Sequence, residues 1–311
     1  MRRVVGALRS PAVKWAFLAI ALAFAVWFVA RNWTGISTAL RDMPAWTLGA
    51  SLGASVVYVA LTLVAWRTIL KDLGHPLGLG PSTALFGLSQ LGKYIPGGVW
   101  NIAAAADLGL AHRIPARRSV AAMSVAVLIS MVSGVAVGAV GFLVAPTPAL
   151  AEWAWVMWFG VPLLVLLLPP VMNRLLALVW RAMRLAPLDT SFSTAGIGAA
   201  TLWSVLAWIA AGLSVGFLAV GLGAPLTAAT WVQSTGGYAL AWVAGFVVVF
   251  APAGAGVREV VLAAALAGAL PAAAAVALVL VSRVLLTVVD LCLAGAGVLV
   301  ARAERRRLGA P

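Results

Sequence analysis

The chain has 311 residues, of which 64% are hydrophobic and only 9% charged, with a mean hydropathy of +1.08. A water-soluble domain of this length carries about 25% charged residues, so these charges are too few to clothe a water-exposed surface, and a soluble enzyme or binding domain is excluded. The net charge is +13, yet the Lys and Arg residues sit in short clusters between apolar runs. That is the pattern of topology signals and anionic-lipid contacts, so lipid headgroups rather than nucleic acid are the expected partners.

A helix needs about 20 apolar residues to cross the hydrocarbon core. The first run, 15–30, follows the basic start MRRVVGALRSPAVKW. No convincing small-x-small cleavage site precedes Arg31 and many spans follow, so the run is expected to stay as a first span rather than leave as a signal peptide. The second span is 45–66. The region 82–112 is apolar but broken at Pro96-Gly97-Gly98, and its halves, 82–95 and 99–112, reach only about 21 Å each at 1.5 Å per residue. It reads as a re-entrant helical hairpin. Further spans follow at 119–144 and, shorter, at 153–170. The stretch 172–185 puts Arg174, Arg181 and Arg184 on one side and Leu175, Leu176, Val179 and Met183 on the other, as in an interfacial amphipathic helix. A fifth span covers 197–220. The region 228–268, broken at Pro252, Gly254 and Gly256, is a second broken hairpin with a longer first arm. The last span is 273–301.

The expected fold is therefore an all-α polytopic membrane protein of about six full spans plus two re-entrant broken hairpins. Positive charges orient it. With a cytoplasmic N-terminus, 16 of the 21 Lys and Arg residues fall on cytoplasmic segments, in clusters around 2–14, 67–71, 113–118, 174–184 and 302–307. Only Arg31 and Arg41 fall outside, which predicts an N-in, C-in chain. The sequence also repeats. Pro96 and Pro252 lie 156 residues apart, and so do Pro115 and Pro271. Gly74-His75-Pro76-Leu77 precedes the first hairpin as Gly223-Ala224-Pro225-Leu226 precedes the second. A single transmembrane domain, 1–311, is thus expected to hold two units, 1–150 and 151–311, of three crossings each. An odd number of crossings inverts one unit against the other, which is a transporter architecture.

Small-xxx-small spacings at Gly49/Gly53, Gly134/Gly138 and Gly212/Gly216 predict close helix packing. Tryptophans near span ends (Trp33, Trp46, Trp66, Trp153, Trp155, Trp231) read as interfacial anchors, while Trp100 sits beside the first break. Cys292 is the only cysteine, so no intrachain disulfide forms. No metal-ligand spacing, nucleophile elbow or P-loop occurs, so neither an enzyme nor a metal or cofactor site is expected.

Ionisable groups at membrane depth mark function. Arg258 and Glu259 follow the second break, where a helix N-terminus favours the carboxylate. Arg283 and Asp290 lie seven residues apart on one face of the last span, about 10 Å along its axis. Two readings stay open: a polar cavity in which Arg258 or Arg283 meets a phosphate, or an internally paired set, such as Glu259 with Arg283, that locks hairpin to span. In the first hairpin the candidates are Gln90, Lys93, Tyr94 and Asn101, with Lys93 either meeting a lipid phosphate or snorkelling to the headgroups. Asp107 is placed to pair with Arg113.

The string LGKYIPGGVW (91–100), together with PAGAGVREVVL (252–262) and Arg283, resembles the lysylphosphatidylglycerol-synthase transmembrane region, or flippase-like domain, over about 45–301. This is the membrane half of the multiple-peptide-resistance proteins. The resemblance implies a bacterial or archaeal cytoplasmic-membrane protein that moves an amphiphilic, aminoacyl-phospholipid-like substrate between leaflets. It carries function onto Lys93, Pro96, Gly97, Pro252, Gly254, Gly256, Arg258, Glu259 and Arg283. The stretch SVAVLISMVSG (124–134) departs from it, having no charge where many relatives carry an acidic–basic pair. No soluble aminoacyltransferase domain accompanies the region here, so synthase activity is not expected to transfer. A lipid flippase is the leading expectation. The alternatives are a module that presents lipid to a separately encoded transferase, and a small-solute transporter.

Overall fold

Hydrophobicity at this level leaves the backbone no partner but itself, and all regular structure among the described residues is helical. The computed structural model describes residues 33–94, 100–147, 155, 158, 160–182, 189–248 and 256–307. In chain order the helices are α1 (Trp33–Arg41), α2 (Ala45–Asp72), α3 (Leu79–Gln90) with a 3-10 turn over Leu91–Tyr94, α4 (Trp100–Leu110), α5 (Ala116–Val144), α6 (Gly160–Leu163) with a 3-10 turn over Leu164–Leu167, α7 (Pro169–Ala182), α8 (Thr194–Gly221), α9 (Ala228–Val247), α10 (Val257–Leu266) and α11 (Ala272–Arg307).

Among the described residues, four helices are long and apolar enough to cross a membrane: α2, α5, α8 and the Ala272–Ala303 part of α11. They match the predicted spans 45–66, 119–144, 197–220 and 273–301, each extended at one end or both. The chain is thus a polytopic membrane protein. The span predicted at 15–30 and the hairpin breaks Pro96, Gly97, Gly98, Pro252 and Gly254 lie outside the described residues, as does Trp153. The predicted span 153–170 lies partly outside the described residues, and its end is corrected to a corner at Leu168. Its described part, Gly160–Leu167, meets α7 at 88°. Pro169 disfavours a helical conformation at Leu168, whose ψ is 126°. The helix predicted at 172–185 begins at this corner, three residues early; Arg174 and Arg181 are exposed, Met172 and Trp180 are buried, and Val179 is 40% exposed.

In both broken regions the two arms pack against each other. Gly92, in the turn after α3, lies so close to α4 that a Cβ there would meet the Asn101 nitrogen at 2.5 Å, and α3 packs along α4. In the second region α9 packs along α10, whose 10 residues reach about 15 Å, too short to cross. The two hairpins have separate cores. Leu85, Phe86 and Ile114 pack with Trp66, Leu70 and Leu73 at the end of α2. Tyr238, Leu262 and Leu270 pack with Trp208, Leu218 and Ala224 around the end of α8. Trp66, read as an interfacial anchor, is instead 1% exposed and rests on Phe86, ring centroids 5.4 Å apart.

Lipid supplies no hydrophobic drive between helices, so small and polar residues hold the bundle. On the α2–α8 seam Ser214 shares hydrogen bonds with Ser51 and Ser55, both 2.8 Å. Trp208 Nε1 donates to Ser133 Oγ on α5 at 3.1 Å. Gly138 and Gly141 admit α9, with Gly141 abutting Gly236, while Gly87 and Gly297 bring α3 and α11 together. Gly212 and Gly216 admit Thr235 and Trp231 of α9. Gly49 and Gly53 are the exception: a Cβ on either meets nothing within 4 Å, so that pair makes no seam among the described residues.

One end of the bundle gathers the basic connectors. Asp72, at the end of α2, accepts from Ser193 N (2.8 Å) and Ser193 Oγ (2.6 Å), and Ser193 in turn caps α8 through Gly196 N. Arg118 donates to Leu73 O (3.3 Å), contacts His75 Nε2 (2.7 Å) and reaches Asp189 at 4.0 Å. Desolvation, then Arg118, lowers the pKa of His75 below its ordinary value of 6.5. The neutral ring is thus favoured in the folded state, so the unfolded chain binds more protons. The stability His75 contributes is complete above about pH 6.5 and is lost as pH falls below it. Unfolding midpoints of wild type should fall between pH 7 and pH 5, and His75→Gln should flatten that slope; an unchanged slope would remove the assignment.

Candidate functional site

Side chains from α2, α3 and the turn after it, α4, α5, α8, α9, α10 and α11 line a partly open cavity of about 170 Å³. A water needs about 10–15 Å³ by this measure, so the chamber holds on the order of ten waters, or one small polar headgroup. Tyr58, Trp208, Trp242 and Phe246 form much of its wall.

The charged groups enter from both hairpins and from α11. Lys93, on the turn that ends α3, places Nζ 2.6 Å from Asp290 Oδ2; the Lys93 side chain is 37% exposed and that of Asp290 1%. Gly256 starts α10 with φ 91° and ψ −59°, a conformation that is strained for any residue but glycine. That start aims the first helical turn so that Glu259 Oε2 accepts from Gly256 N at 2.5 Å. The other oxygen, Oε1, accepts from Arg283 Nε at 2.6 Å and lies 2.5 Å from Nη2. Gly256→Ala should therefore destabilise the chain by about 1–3 kcal/mol, read as a lowered unfolding midpoint; an unchanged midpoint would mean the turn is not strained.

Adjacent helical residues diverge, and Arg258 points to a different partner from Glu259. Its guanidinium stacks over Tyr238, 4.6 Å from the ring centroid, and donates to the Tyr238 hydroxyl. No carboxylate lies within 4 Å of it among the described residues. Tyr238 is held by Tyr58 and Trp208, with centroids 6.0 and 6.3 Å away. Lys93, Arg258 and Arg283 set against Glu259 and Asp290 leave the site one net positive charge.

The matching family description is the lysylphosphatidylglycerol synthase TM region, over residues 14–294. The chain belongs to this family. Comparison with curated proteins found no match. Membership in the lysylphosphatidylglycerol-synthase membrane-region family places the chain among membrane proteins of lipid-related processes.

Of the residues singled out in the sequence, Lys93, Asn101, Arg258, Arg283 and Asp290 line this one cavity, together with Gln90. Glu259 reaches it through Arg283. Asn101 is 8% exposed, and its side-chain oxygen accepts from Ile102 N at 3.0 Å. Tyr94 ends the 3-10 turn, and its side chain lies outside the described residues. Asp107 makes no ion pair with Arg113 among the described residues; Arg113 instead has φ 58° in the α4–α5 turn. Sequence reasoning missed Tyr58 and Tyr238. Composition held a signal: the chain has only three tyrosines, and two of them meet in the cavity.

Proposed function

We propose that the chain carries a phospholipid between leaflets, its headgroup passing through the central cavity while its tails stay in the bilayer. The carrying observation is that groups from both hairpin regions converge on one headgroup-sized chamber with a net positive charge. Arg258 supplies the excess: its neighbours are aromatic, so an entering phosphate displaces no carboxylate from it. A guanidinium suits a phosphate because its donors form a planar fork.

Two inverted units would give such a carrier its alternating access, and the packing supports that reading. Each unit would consist of span, span, hairpin, span. Exchanging the units maps α3 onto α9 and α11 onto α5, and the α3–α11 pair is indeed matched by α9–α5. α2 packs against its own counterpart, α8. Both α2 and α8 end on a glycine with positive φ (Gly74, 83°; Gly223, 97°), followed by matching Schellman hydrogen bonds, His75 N to Leu70 O and Ala224 N to Ala219 O. Cavity positions recur 156 residues apart as Phe86/Trp242, Gln90/Phe246, Val127/Arg283 and Ser130/Leu286. The shape is paired and the chemistry is not, so the second unit dominates the site. The end bearing Arg67, Arg118 and Arg174 would face the cytoplasm, with α7 along that surface, in the cytoplasmic membrane. The chain would act as a carrier without catalysis of its own.

The test is leaflet accessibility in reconstituted vesicles. With tail-labelled phosphatidylglycerol, a membrane-impermeant reductant should bleach both leaflets where the protein is present and only the outer one in protein-free vesicles. Equal bleaching in the two would sink the carrier reading.

A further inference from the structure

The two ion pairs of the cavity differ in kind. Both join α11 to a hairpin, with opposite polarity: Arg283 of α11 gives the cation to Glu259 of the second hairpin, and Asp290 gives the carboxylate to Lys93 of the first. The Arg283–Glu259 pair is doubly fixed. Two guanidinium nitrogens lie at 2.6 and 2.5 Å from one carboxylate oxygen while the other oxygen holds the Gly256 amide. Breaking it would disturb the start of α10. Lys93–Asp290 brings a compact ammonium, on a four-carbon stem, to 2.6 Å from a carboxylate in the wall. Lys93 is also the more accessible partner, 37% against 1%.

We infer that Lys93 is an exchangeable anion-binding group: a phosphate entering the cavity takes its ammonium from Asp290, and the same event releases the turn at the end of α3 from α11. This inference rests on the carrier reading and assigns its ligand a chemistry, a phosphodiester or phosphate monoester. The latch joins the two proposed units, and its counterpart is missing: the position 156 residues before Asp290 is Gly134, on α5. Among the described residues, charge therefore fastens one hairpin tip across the unit boundary through Lys93. An anion that binds Lys93 competes with Asp290, so occupancy and release are linked reciprocally.

The experiment uses the purified full-length chain in detergent, with dihexanoyl phosphatidylglycerol and inorganic phosphate as separate probes. Removing the competing charge in Asp290→Asn should tighten binding about tenfold, while Lys93→Gln should weaken it at least tenfold. A merely structural pair would make both variants bind more weakly or leave both unchanged, and either result overturns the exchange. The pattern with phosphatidylglycerol alone marks a lipid headgroup; the same pattern with inorganic phosphate marks the free anion, and both support the exchange. A measurement on the unmodified chain covers the case of a variant that does not fold. Hydrogen exchange of Leu91–Tyr94 should speed up when the probe is added, and slowing or no change would contradict the release. Tightened binding in Asp290→Asn without leaflet transfer would discard the carrier and keep the exchange. Transfer without tightening would do the reverse.

Discussion

Arg258→Ala is expected to cut phospholipid transfer in reconstituted vesicles about a hundredfold while the chain stays folded. The guanidinium carries the site's unbalanced charge, and truncating one side of a desolvated charge pair costs about 2–5 kcal/mol, whereas a hundredfold corresponds to about 2.7 kcal/mol. Folding should tolerate the change. Arg258 makes no ion pair among the described residues, so its loss strands no carboxylate, and Tyr238 keeps its packing on Tyr58 and Trp208. Arg258→Lys keeps the charge but loses the fork and the stacking on Tyr238, and should fall between wild type and Arg258→Ala. Leaflet transfer gives the readout, with the unfolding midpoint as control. Wild-type transfer in Arg258→Ala would remove Arg258 from the site.

Gly212→Val should have the largest effect on folding. A Cβ at Gly212 would lie 1.9 Å from Thr235 Oγ1 and 2.5 Å from the Thr235 Cα. Rotating the hydroxyl relieves only the first clash; the second is with backbone, so α8 and α9 must part. Overpacking of this kind costs about 1–3 kcal/mol and occasionally more, and here it also disturbs the helix that carries Tyr238. The internal control is Gly49→Ala. A Cβ there meets nothing within 4 Å, and replacing a helical glycine should raise stability by about 0.5–1 kcal/mol. Unfolding midpoints in one detergent check both. Equal effects at Gly212 and Gly49 would mean that the α8–α9 contact does not hold the bundle.

The contrast between those glycines shows what the sequence carried and what it left out. Spacing put Gly49/Gly53, Gly134/Gly138 and Gly212/Gly216 on helix faces alike, but whether a face meets a neighbour is a tertiary fact. The four long spans were legible because length and hydrophobicity fix them locally. The corner at Leu168 was legible in principle, since Pro169-Pro170 states it; a count of apolar residues alone passed over it. Membrane depth singled out the ionisable residues of the cavity, because charge there is costly enough to be rare. Their pairing was only half readable. Glu259 with Arg283 was one stated possibility, since the second hairpin and the last span are neighbours in sequence. Lys93 with Asp290 joins positions 197 residues apart, and nothing local encodes it. Tyr58 and Tyr238 escaped for a related reason: an aromatic residue in an apolar helix looks like packing until its neighbours are known.

The central claim is that a phospholipid headgroup enters the cavity between the hairpins. Photo-crosslinking tests it most directly, using phosphatidylglycerol with a photoreactive group on its headgroup and the reconstituted wild-type chain. Adducts are predicted on cavity-lining residues, Gln90 and Trp242 among them, and should diminish when unlabelled phosphatidylglycerol is added in excess. Adducts confined to the outward faces, at residues such as Val57, Leu202 and Val260, would contradict the account.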